Sequence, residues 1–299
     1  MRWFSFHGGH SGEFCRHAKG RLEDVVEEAH QAGFTTYGLS EHAPRTRSGD
    51  LYPGEEDLTP ADLSAHFEAY AIAARALQRA YADRLDVLVG FEAEVIPAGD
   101  WLERARALRA ASDFDFVIGS VHHVDEVPID ITPEQFLALE ERVGGRDALD
   151  RAYFELVVDM VEALEPEVVG HLDLVRRFRG DDVSFGDDTW PLIERALVAT
   201  REAGSLLDVN AAPVRRGFGP VYPGPELLAR ACELGVGVTL GDDSHGPHDV
   251  GGGLEACLVA IRTAGYREVG CLRRSVGGAR ASVEVVPVDD LRPRDPVPR

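Results

Sequence analysis

The chain has 299 residues, 44% hydrophobic and 28% charged, a composition typical of a globular protein with a sizeable core. Its 31 basic and 52 acidic residues leave a net charge of −21 at pH 7, which disfavours nucleic acid and anionic membranes as partners. No run approaches the ~20 apolar residues of a membrane span, and the first residues lack the apolar core of a signal peptide. We therefore expect a cytoplasmic protein that binds neither nucleic acid nor membrane.

Short apolar runs alternate with amphipathic stretches along the chain, which predicts repeated β/α units around a parallel sheet. Strands are predicted at Trp3–His7, Thr36–Glu41, Val87–Glu94, Phe114–His122, Glu167–Asp173, Ser205–Asn210 and Gly237–Asp242. Helices are predicted between them, at Leu22–Ala32, Ala61–Tyr81, Trp101–Ala111, Leu149–Leu164, Trp190–Ala203, Pro225–Leu234 and Leu254–Ala264. One domain over residues 1–286 is expected, with a short tail at 287–299.

Two predicted connections, Ala43–Pro60 and Asp125–Arg146, are long enough to be active-site loops, and each follows a strand. The four cysteines are scattered, without the spacing of a disulfide framework or of a thiolate zinc site.

Residues that can bind metals fall at or just beyond the carboxyl ends of the predicted strands. In β/α barrels this rim carries the chemistry. A single buried histidine is more often a core residue, but so many at one rim favour a metal centre. Four other histidines, His30, His66, His123 and His248, have no such position and are expected to be structural or solvated. The residues at the rim are His7, His42, Glu92, His122, His171 and Asp243.

The local patterns support this interpretation. The segment FHGGHSGEFCRH brings three histidines, His7, His10 and His17, into one loop, where glycines allow the backbone to fold around an ion. Glu92 lies inside the apolar strand VLVGFEAEV, where an unpaired carboxylate costs several kcal/mol and a cation is the natural partner. Asp243 and His245 lie two residues apart and share a side if the backbone stays extended.

At this point the sequence resembles the PHP superfamily, and most closely its histidinol-phosphatase branch. Motifs of that branch appear in order along nearly the whole chain: HSGEFCRHA, YGLSEHAPR, DLYPGEE, VGFEAEVI, DFVIGSVHH, VVGHLDL, LLDVNAAPVRR and LGDDSH. The resemblance implies an α/β fold, a distorted TIM-like (β/α)7 barrel, holding three divalent metal ions with one bridging glutamate.

The resemblance also implies a division of the ligands. His7, His10, Glu92 and Asp243 would form the first site; His17, His42 and His245 the second; Glu92, His122 and His171 the third. His122 and His123 point to opposite faces of a strand, so only one can reach the rim, and the family match selects His122.

The opening motif departs from the family pattern. Members usually begin with His-x-His, whereas this chain has His7-Gly8-Gly9-His10, which aligns Gly8 with the first family histidine. Either the glycines let the loop bulge so that His7 still reaches the first site, or that site lacks one ligand and water replaces it.

The resemblance implies a phosphomonoesterase that hydrolyses L-histidinol phosphate in histidine biosynthesis, through a hydroxide bound by Zn, Fe or Mn. Glu92, Asp243 and His245 are the expected catalytic residues. Arginines suit phosphate because the guanidinium fork matches its oxygens. The expected substrate contacts are Arg45, Arg47, Arg215 and Arg216, with Asn210 bonding either the substrate or the ligands, and Glu41 as one of several acidic residues for the substrate cation.

Two alternatives remain. A PHP-type phosphoesterase could act on another small phosphate ester with the same site, since fold and metals do not fix the substrate. A non-catalytic metal-binding module is the alternative from a different class. The oligomeric state and the metal identity do not follow from the sequence.

Overall fold

Parallel strands form the central sheet of the computed structural model, which describes residues 2–111, 113–180, 182, 184–275 and 280–293. Its strands are β1 (Phe4–Ser5), β2 (Thr36–His42), β3 (Asp86–Glu94), β4 (Phe116–Ser120), β7 (Val168–Val169), β8 (Leu206–Asn210) and β9 (Val238–Gly241). They are hydrogen-bonded in that order. The two outer strands meet where the Phe6 amide donates to the Leu240 carbonyl at 2.9 Å, so the sheet nearly closes into a barrel.

Helices cover the outside of this barrel, as the alternating pattern predicts. They are α1 (Leu22–Gln31), α2 (Pro60–Ala80), α3 (Trp101–Ala111), α4 (Pro133–Val143), α5 (Arg146–Leu164), α6 (Trp190–Glu202), α7 (Ala212–Arg216), α8 (Pro225–Glu233) and α9 (Leu254–Thr263). The longest, α2, begins where Thr59 caps the amide of Asp62, with Pro60 in the first turn. Its face of Leu63, Phe67 and Tyr70 is buried against the sheet.

Strand β3 crosses the centre of the sheet between β2 and β4, and its residues 87–94 are all buried. Its Phe91 ring packs against Phe67 and Phe114, with ring centroids 5.9 and 4.9 Å away. Because the strands are parallel, their carboxyl ends all meet at one rim, and any polar side chain there is held by a packed core.

The barrel of α/β type is thus confirmed, but several boundaries differ. Strands β1 and β7 are two residues long, because the chain leaves the ladder early at the rim. The region Asp125–Arg146, expected to be a loop, contains helix α4 and pairs β6 (Val127–Pro128) with β5 (His123–Val124).

An antiparallel hairpin of β10 (Glu268–Arg273) and β11 (Ser282–Pro287) lies beyond the last predicted helix and was not predicted. The expected tail starts inside packed structure, since Val288 and Leu291 are buried, while residues 294–299 lie outside the described part. Among the described helices, none has the length and apolar character to cross a membrane.

Candidate metal centre

The rim surrounds a cavity of about 370 Å³, and most of the expected metal ligands line it. His7 and His10 lie beneath its floor, with at most 1% of each residue exposed. The lining ligands are His17, His42, Glu92, His122, His171, Asp243 and His245. The structure therefore brings together residues from six strand ends that are up to 238 positions apart in the sequence, from His7 to His245.

Glu92 occupies the centre of this arrangement. Its Oε1 lies 3.2 Å from His7 Nε2, 3.5 Å from His122 Nε2 and 3.3 Å from His171 Nε2. None of these approaches has the geometry of a hydrogen bond, and Oε1 is buried without a donor among the described residues. A buried carboxylate ringed by ring nitrogens in this way is suited to share a cation with them.

The double glycine lets His7 reach the cluster. Gly8 and Gly9 have φ angles of +138° and +76°, which side chains rarely adopt, and the backbone bulges there. A Cβ on Gly8 would lie 2.3 Å from Asp242 Oδ1, so this position cannot carry a histidine without rearrangement. Ligand atoms of His7, His10 and Asp243 all lie within 4.8 Å of one another.

Buried carboxylates form hydrogen bonds with the Nδ1 atoms of His7 and His10. His7 Nδ1 donates to Asp208 Oδ2 at 2.7 Å, and His10 Nδ1 donates to Glu41 Oε1 at 3.1 Å. Each bond directs the other ring nitrogen, Nε2, away from the carboxylate, so that Nε2 is the atom that would bind a metal. Glu41 is therefore bonded to His10, one of the expected metal ligands.

Glu94 lies within ion-pair distance of two further rings, without a hydrogen bond to either. Its Oε1 lies 3.2 Å from His42 Nδ1 and 3.1 Å from His122 Nδ1, while the Nε2 atoms of both rings face the cluster. Sequence reasoning missed both Glu94 and Asp208. The available signal was a carboxylate in an apolar strand, which for Glu94 lies two residues from Glu92 and so on the same face.

A second group of rings lies beside the first. His10 stacks on His42 and on His245 with centroids 4.4 Å apart in each case, and ligand atoms of all three lie within 4.8 Å. His17 stands at the mouth of the cavity, its Nε2 3.2 Å from His42 Nε2. The histidines expected for the second site thus lie together.

The loop after β9 aims Asp243 into the cavity. The backbone at Asp243 is left-handed (φ +48°) rather than extended, contrary to expectation, yet His245 Nδ1 still lies 3.5 Å from its Oδ1. Asp242 points the other way and accepts a hydrogen bond from Tyr37 at 3.0 Å. Asn210 donates to Asp208 at 2.9 Å and to Asp243 at 3.4 Å, so it bonds the carboxylates around the cluster.

Burial and charge compete in setting the protonation of the cluster. Burial opposes ionisation of Glu92, but the nearby His7, His122 and His42 outweigh it and hold its pKa well below the usual range. Burial likewise opposes protonation of His122, but Glu92 and Glu94 raise its pKa to about 9. The cluster thus binds protons tightly where a metal ion would otherwise carry the positive charge.

Of the arginines expected to hold phosphate, one borders the cavity. Arg216 lines it, with Nη2 3.4 Å from His245 Nδ1. Arg45 is buried and donates to both oxygens of Glu55 at 2.5 and 2.7 Å. Arg47 pairs with Asp50 and Glu126 on the surface, and Arg215 bonds the carbonyls of Asp242 and Asp243. The guanidinium groups of Arg45, Arg47 and Arg215 therefore already have protein partners, and of these four arginines Arg216 is the one at the cavity.

Sequence reasoning missed other residues of the cavity wall. Arg177 lines it, and its buried Nε has no hydrogen-bond partner among the described residues. Asp130 also lines the cavity, and its buried Oδ1 has no hydrogen-bond partner among the described residues. Both lie in segments without a distinctive pattern; Arg177 is one of two adjacent arginines, and Arg176 of that pair is buried against Asp173.

The remaining histidines behave as expected. His123 turns away from the rim and stacks on Tyr52, with ring centroids 5.9 Å apart and planes 9° from parallel. Burial lowers its pKa to about 4, so it is a neutral packing residue. His66 is half-buried and His248 is exposed.

Comparison with known proteins decides the family. The PHP domain model matches residues 8–212. A probable histidinol-phosphatase of Schizosaccharomyces pombe is 36% identical over 287 residues, which cover 94% of each chain. This chain belongs to the PHP family.

Further relatives and solved structures are similar to most of this chain. Histidinol-phosphatase of Saccharomyces cerevisiae is 28% identical over 82% of this chain and 84% of its own. A histidinol phosphate phosphatase of Lactococcus lactis, solved with Zn, L-histidinol and phosphate, superposes with a TM-score of 0.67 over 94% of this chain and 99% of that one, at 22% identity. A putative histidinol phosphatase of Listeria monocytogenes superposes with a TM-score of 0.74 over 84% of this chain and 98% of that one, at 24% identity. These two structures confirm the barrel.

Proposed function

We propose that this PHP protein hydrolyses L-histidinol phosphate to L-histidinol and phosphate. The observation that carries the proposal is Glu92, whose buried Oε1 faces three imidazole nitrogens within 3.5 Å and has no hydrogen-bond donor among the described residues. The names of its relatives supply the substrate, since similarity to histidinol-phosphatases extends over most of the chain.

Three metal sites fit the arrangement of the ligands. His7, His10, Glu92 and Asp243 would hold the first ion, and Glu92 with His122 and His171 would hold the third. His17, His42 and His245 would hold the second. Support comes from ligand atoms that already lie within 4.8 Å of one another in overlapping groups: His7, His10 and Asp243; His7, Glu92 and His171; and His10, His42 and His245.

Bound divalent ions would lower the pKa of a water and neutralise charge on the phosphate. The protein residues then have defined tasks. Glu92 would belong to both the first and the third site. Asp208 and Glu41 hold the rings of His7 and His10 by hydrogen bonds, and Glu94 lies 3.1 Å from His122 Nδ1. Asp243 and His245 line the cavity and, with Glu92, are the proposed catalytic residues.

Arg177 and Arg216 are the proposed phosphate contacts, since both line the cavity. Their charges oppose the acidity of the chain locally, which a phosphate substrate requires at a net charge of −21. Arg177 also lies over the Phe218 ring at 4.8 Å, which holds its guanidinium plane.

Asp130 is the proposed contact for the ammonium group of the substrate. It lines the cavity, and its Oδ1 has no hydrogen-bond partner among the described residues. A carboxylate there would favour a phosphate ester that carries an ammonium group over one that does not. This contact separates histidinol phosphate from other small phosphate esters.

The test is phosphate release from histidinol phosphate, a sugar phosphate and p-nitrophenyl phosphate, with metal analysis of the same sample. We expect histidinol phosphate to be hydrolysed with the highest kcat/KM. Asp130→Asn should lower kcat/KM for histidinol phosphate and leave p-nitrophenyl phosphate nearly unaffected. Metal binding without turnover of any ester would instead identify a non-catalytic metal-binding module.

A further inference from the structure

Tyr222 lines the same cavity as the expected metal ligands, and the function proposed above assigns it no task. Only 2% of the residue is exposed, and its hydroxyl is buried without a hydrogen-bond partner among the described residues. A buried hydroxyl without a partner is destabilising, so this one is expected to bond to a molecule that enters the cavity.

Other tyrosines of the chain use their hydroxyls inside the protein. Tyr70 donates to the Gly90 carbonyl at 2.7 Å, and Tyr266 donates to the Val236 carbonyl at 3.0 Å. Among the described residues, Tyr222 has the one tyrosine hydroxyl that is buried without a partner. This hydroxyl therefore takes no part in the hydrogen bonds that hold the fold.

The ring of Tyr222 is nevertheless fixed from several sides. Its amide donates to the Asn210 carbonyl at 3.1 Å, and its carbonyl accepts from the Asn210 amide at 2.7 Å, at the end of β8. The guanidinium carbon of Arg176 lies 4.3 Å from the ring centroid, and Arg176 is itself bonded to Asp173 at 2.6 Å. The ring of His171 lies edge-on, with centroids 6.4 Å apart. The protein thus holds the ring and leaves the hydroxyl for a ligand.

The hydroxyl of Tyr222 lies near both proposed substrate contacts. Burial raises its pKa, and the charges of Arg177 and Asp130 are among those near enough to act on it, the first lowering the pKa and the second raising it. In histidinol phosphate, the ester oxygen connects the phosphate to the carbon chain that carries the ammonium group. The arginines and metal ions of the proposed function are assigned to the phosphate group, and the ester oxygen has no assigned donor.

We propose that Tyr222 is a further catalytic residue, whose hydroxyl donates a hydrogen bond to the ester oxygen of the bound phosphate monoester. As water forms its bond to phosphorus, the bond to the ester oxygen breaks, and its electron pair passes to that oxygen. The proton that the water loses balances the one that the departing alcohol gains, and Tyr222 keeps its own. A donor fixed in advance stabilises this charge more in the transition state than in the bound substrate. The inference rests on the proposed function.

The change Tyr222→Phe tests the inference, because it removes the donor and keeps the ring. We expect kcat/KM to fall about tenfold or more for histidinol phosphate and for propyl phosphate, whose alkoxide leaving groups need a donor. Hydrolysis of p-nitrophenyl phosphate should change little, since nitrophenolate carries its charge without one. Propyl phosphate has no ammonium group, so its loss separates Tyr222 from the proposed role of Asp130.

Tyr266→Phe is the matched control. It removes a hydroxyl that bonds within the protein, and Tyr266 is not one of the described residues that line the cavity. This variant should lose thermal stability and keep the wild-type kcat/KM on all three esters. Tyr222→Phe should instead keep its thermal stability and its metal content, because no protein partner loses a bond.

Two outcomes would overturn the inference. Equal losses on the three esters would show that the hydroxyl contacts the phosphate group, and unchanged kinetics would show that Tyr222 only packs. Failure of the proposed substrate is a separate result. If wild-type protein hydrolyses propyl and p-nitrophenyl phosphate but not histidinol phosphate, the proposed function is wrong, and the ratio of the other two esters in Tyr222→Phe still decides the role of the hydroxyl.

Discussion

Buried carboxylates occur at both ends of the barrel, and their partners differ. At the amino end, Glu167 accepts hydrogen bonds from Arg109 at 2.8 Å, from Arg280 at 2.7 Å and from the Val117 amide at 2.8 Å. At the carboxyl end, Glu92 Oε1 faces only imidazole nitrogens and has no donor among the described residues. Both side chains are almost fully buried.

The difference separates structural from functional burial of charge. A carboxylate surrounded by fixed donors is already satisfied and stabilises the fold around it. A carboxylate surrounded by ring nitrogens is satisfied only when a proton or a metal ion joins them. Burial alone is therefore no guide to function in this barrel, whereas the identity of the partners is.

Exchanging each carboxylate for its amide gives the largest expected effect. Glu92→Gln should empty the first and third metal sites together and lower kcat/KM by about 100-fold or more, because one oxygen ligand of both is lost. Elemental analysis and histidinol phosphate turnover measure this.

Glu167→Gln is the matched control at the other end of the barrel. It should keep its metals and its activity, while the free energy of unfolding falls by about 1–3 kcal/mol, because charge-assisted bonds to Arg109 and Arg280 weaken. Equal metal loss in the two variants would contradict the comparison.

Replacing the two arginines that line the cavity should have a smaller effect than replacing Glu92. Arg216→Ala and Arg177→Ala should each lower kcat/KM by about one to two powers of ten, because a charge-assisted phosphate contact contributes roughly 1.5–3 kcal/mol. Metal content should not change. Lysine at either position should restore part of the activity, since it keeps the charge without the planar fork.

Arg45→Ala serves as the control, because Arg45 is buried against Glu55 and borders no part of the main cavity. Its removal should lower thermal stability and leave kcat/KM of the folded protein near the wild-type value. Wild-type efficiency in both Arg177→Ala and Arg216→Ala would mean that the metals alone hold the phosphate.

Proton release on metal binding is the next effect in size. In the metal-free protein the pKa of His122 is raised to about 9, so the ring is protonated at pH 7 and must become neutral to bind an ion. Metal binding at pH 7 should therefore release protons, and the His122 contribution should vanish above pH 9. Calorimetric titration in buffers of different ionisation enthalpy measures the number released. Binding at pH 7 without proton release would show that the ring is neutral beforehand.

The fold was largely predictable because its signals are local. Apolar strands and amphipathic helices alternate in the printed sequence, and the parallel barrel follows from that order. Hairpin β10–β11 was not predicted, because the apolar side chains of Val283 and Val285 alternate along β11 but point to solvent instead of the core. Helix α4 was not predicted, because Phe136 and Leu139 are its only buried residues and the hydrophobic periodicity of the segment is weak.

The site was predictable where ligands fall at strand ends, and less so where pairing decides a role. Arg45 and Arg216 each lie in a segment after a strand, but Arg45 is paired with Glu55 of its own loop, whereas Arg216 lies at the cavity. Asp208 accepts a hydrogen bond from His7, a residue 201 positions away, and no local spacing predicts that contact. Whether His7 reaches the cluster depended on the backbone of two glycines, which only the folded chain settles.

The smallest effect is expected at adjacent histidines that face opposite ways. His122 Nε2 lies 3.5 Å from Glu92 Oε1 and 3.1 Å from His171 Nε2, whereas the His123 ring stacks on Tyr52. His123→Gln should therefore keep its full metal content and lose at most a little stability. His122→Gln should lose the ion of the third site, because one of its three donors is removed. Elemental analysis of both variants, prepared side by side with circular dichroism to confirm folding, measures the difference. Equal metal loss would show that the strand presents the other face to the rim, and the assignment of the third site would have to be exchanged between these two residues.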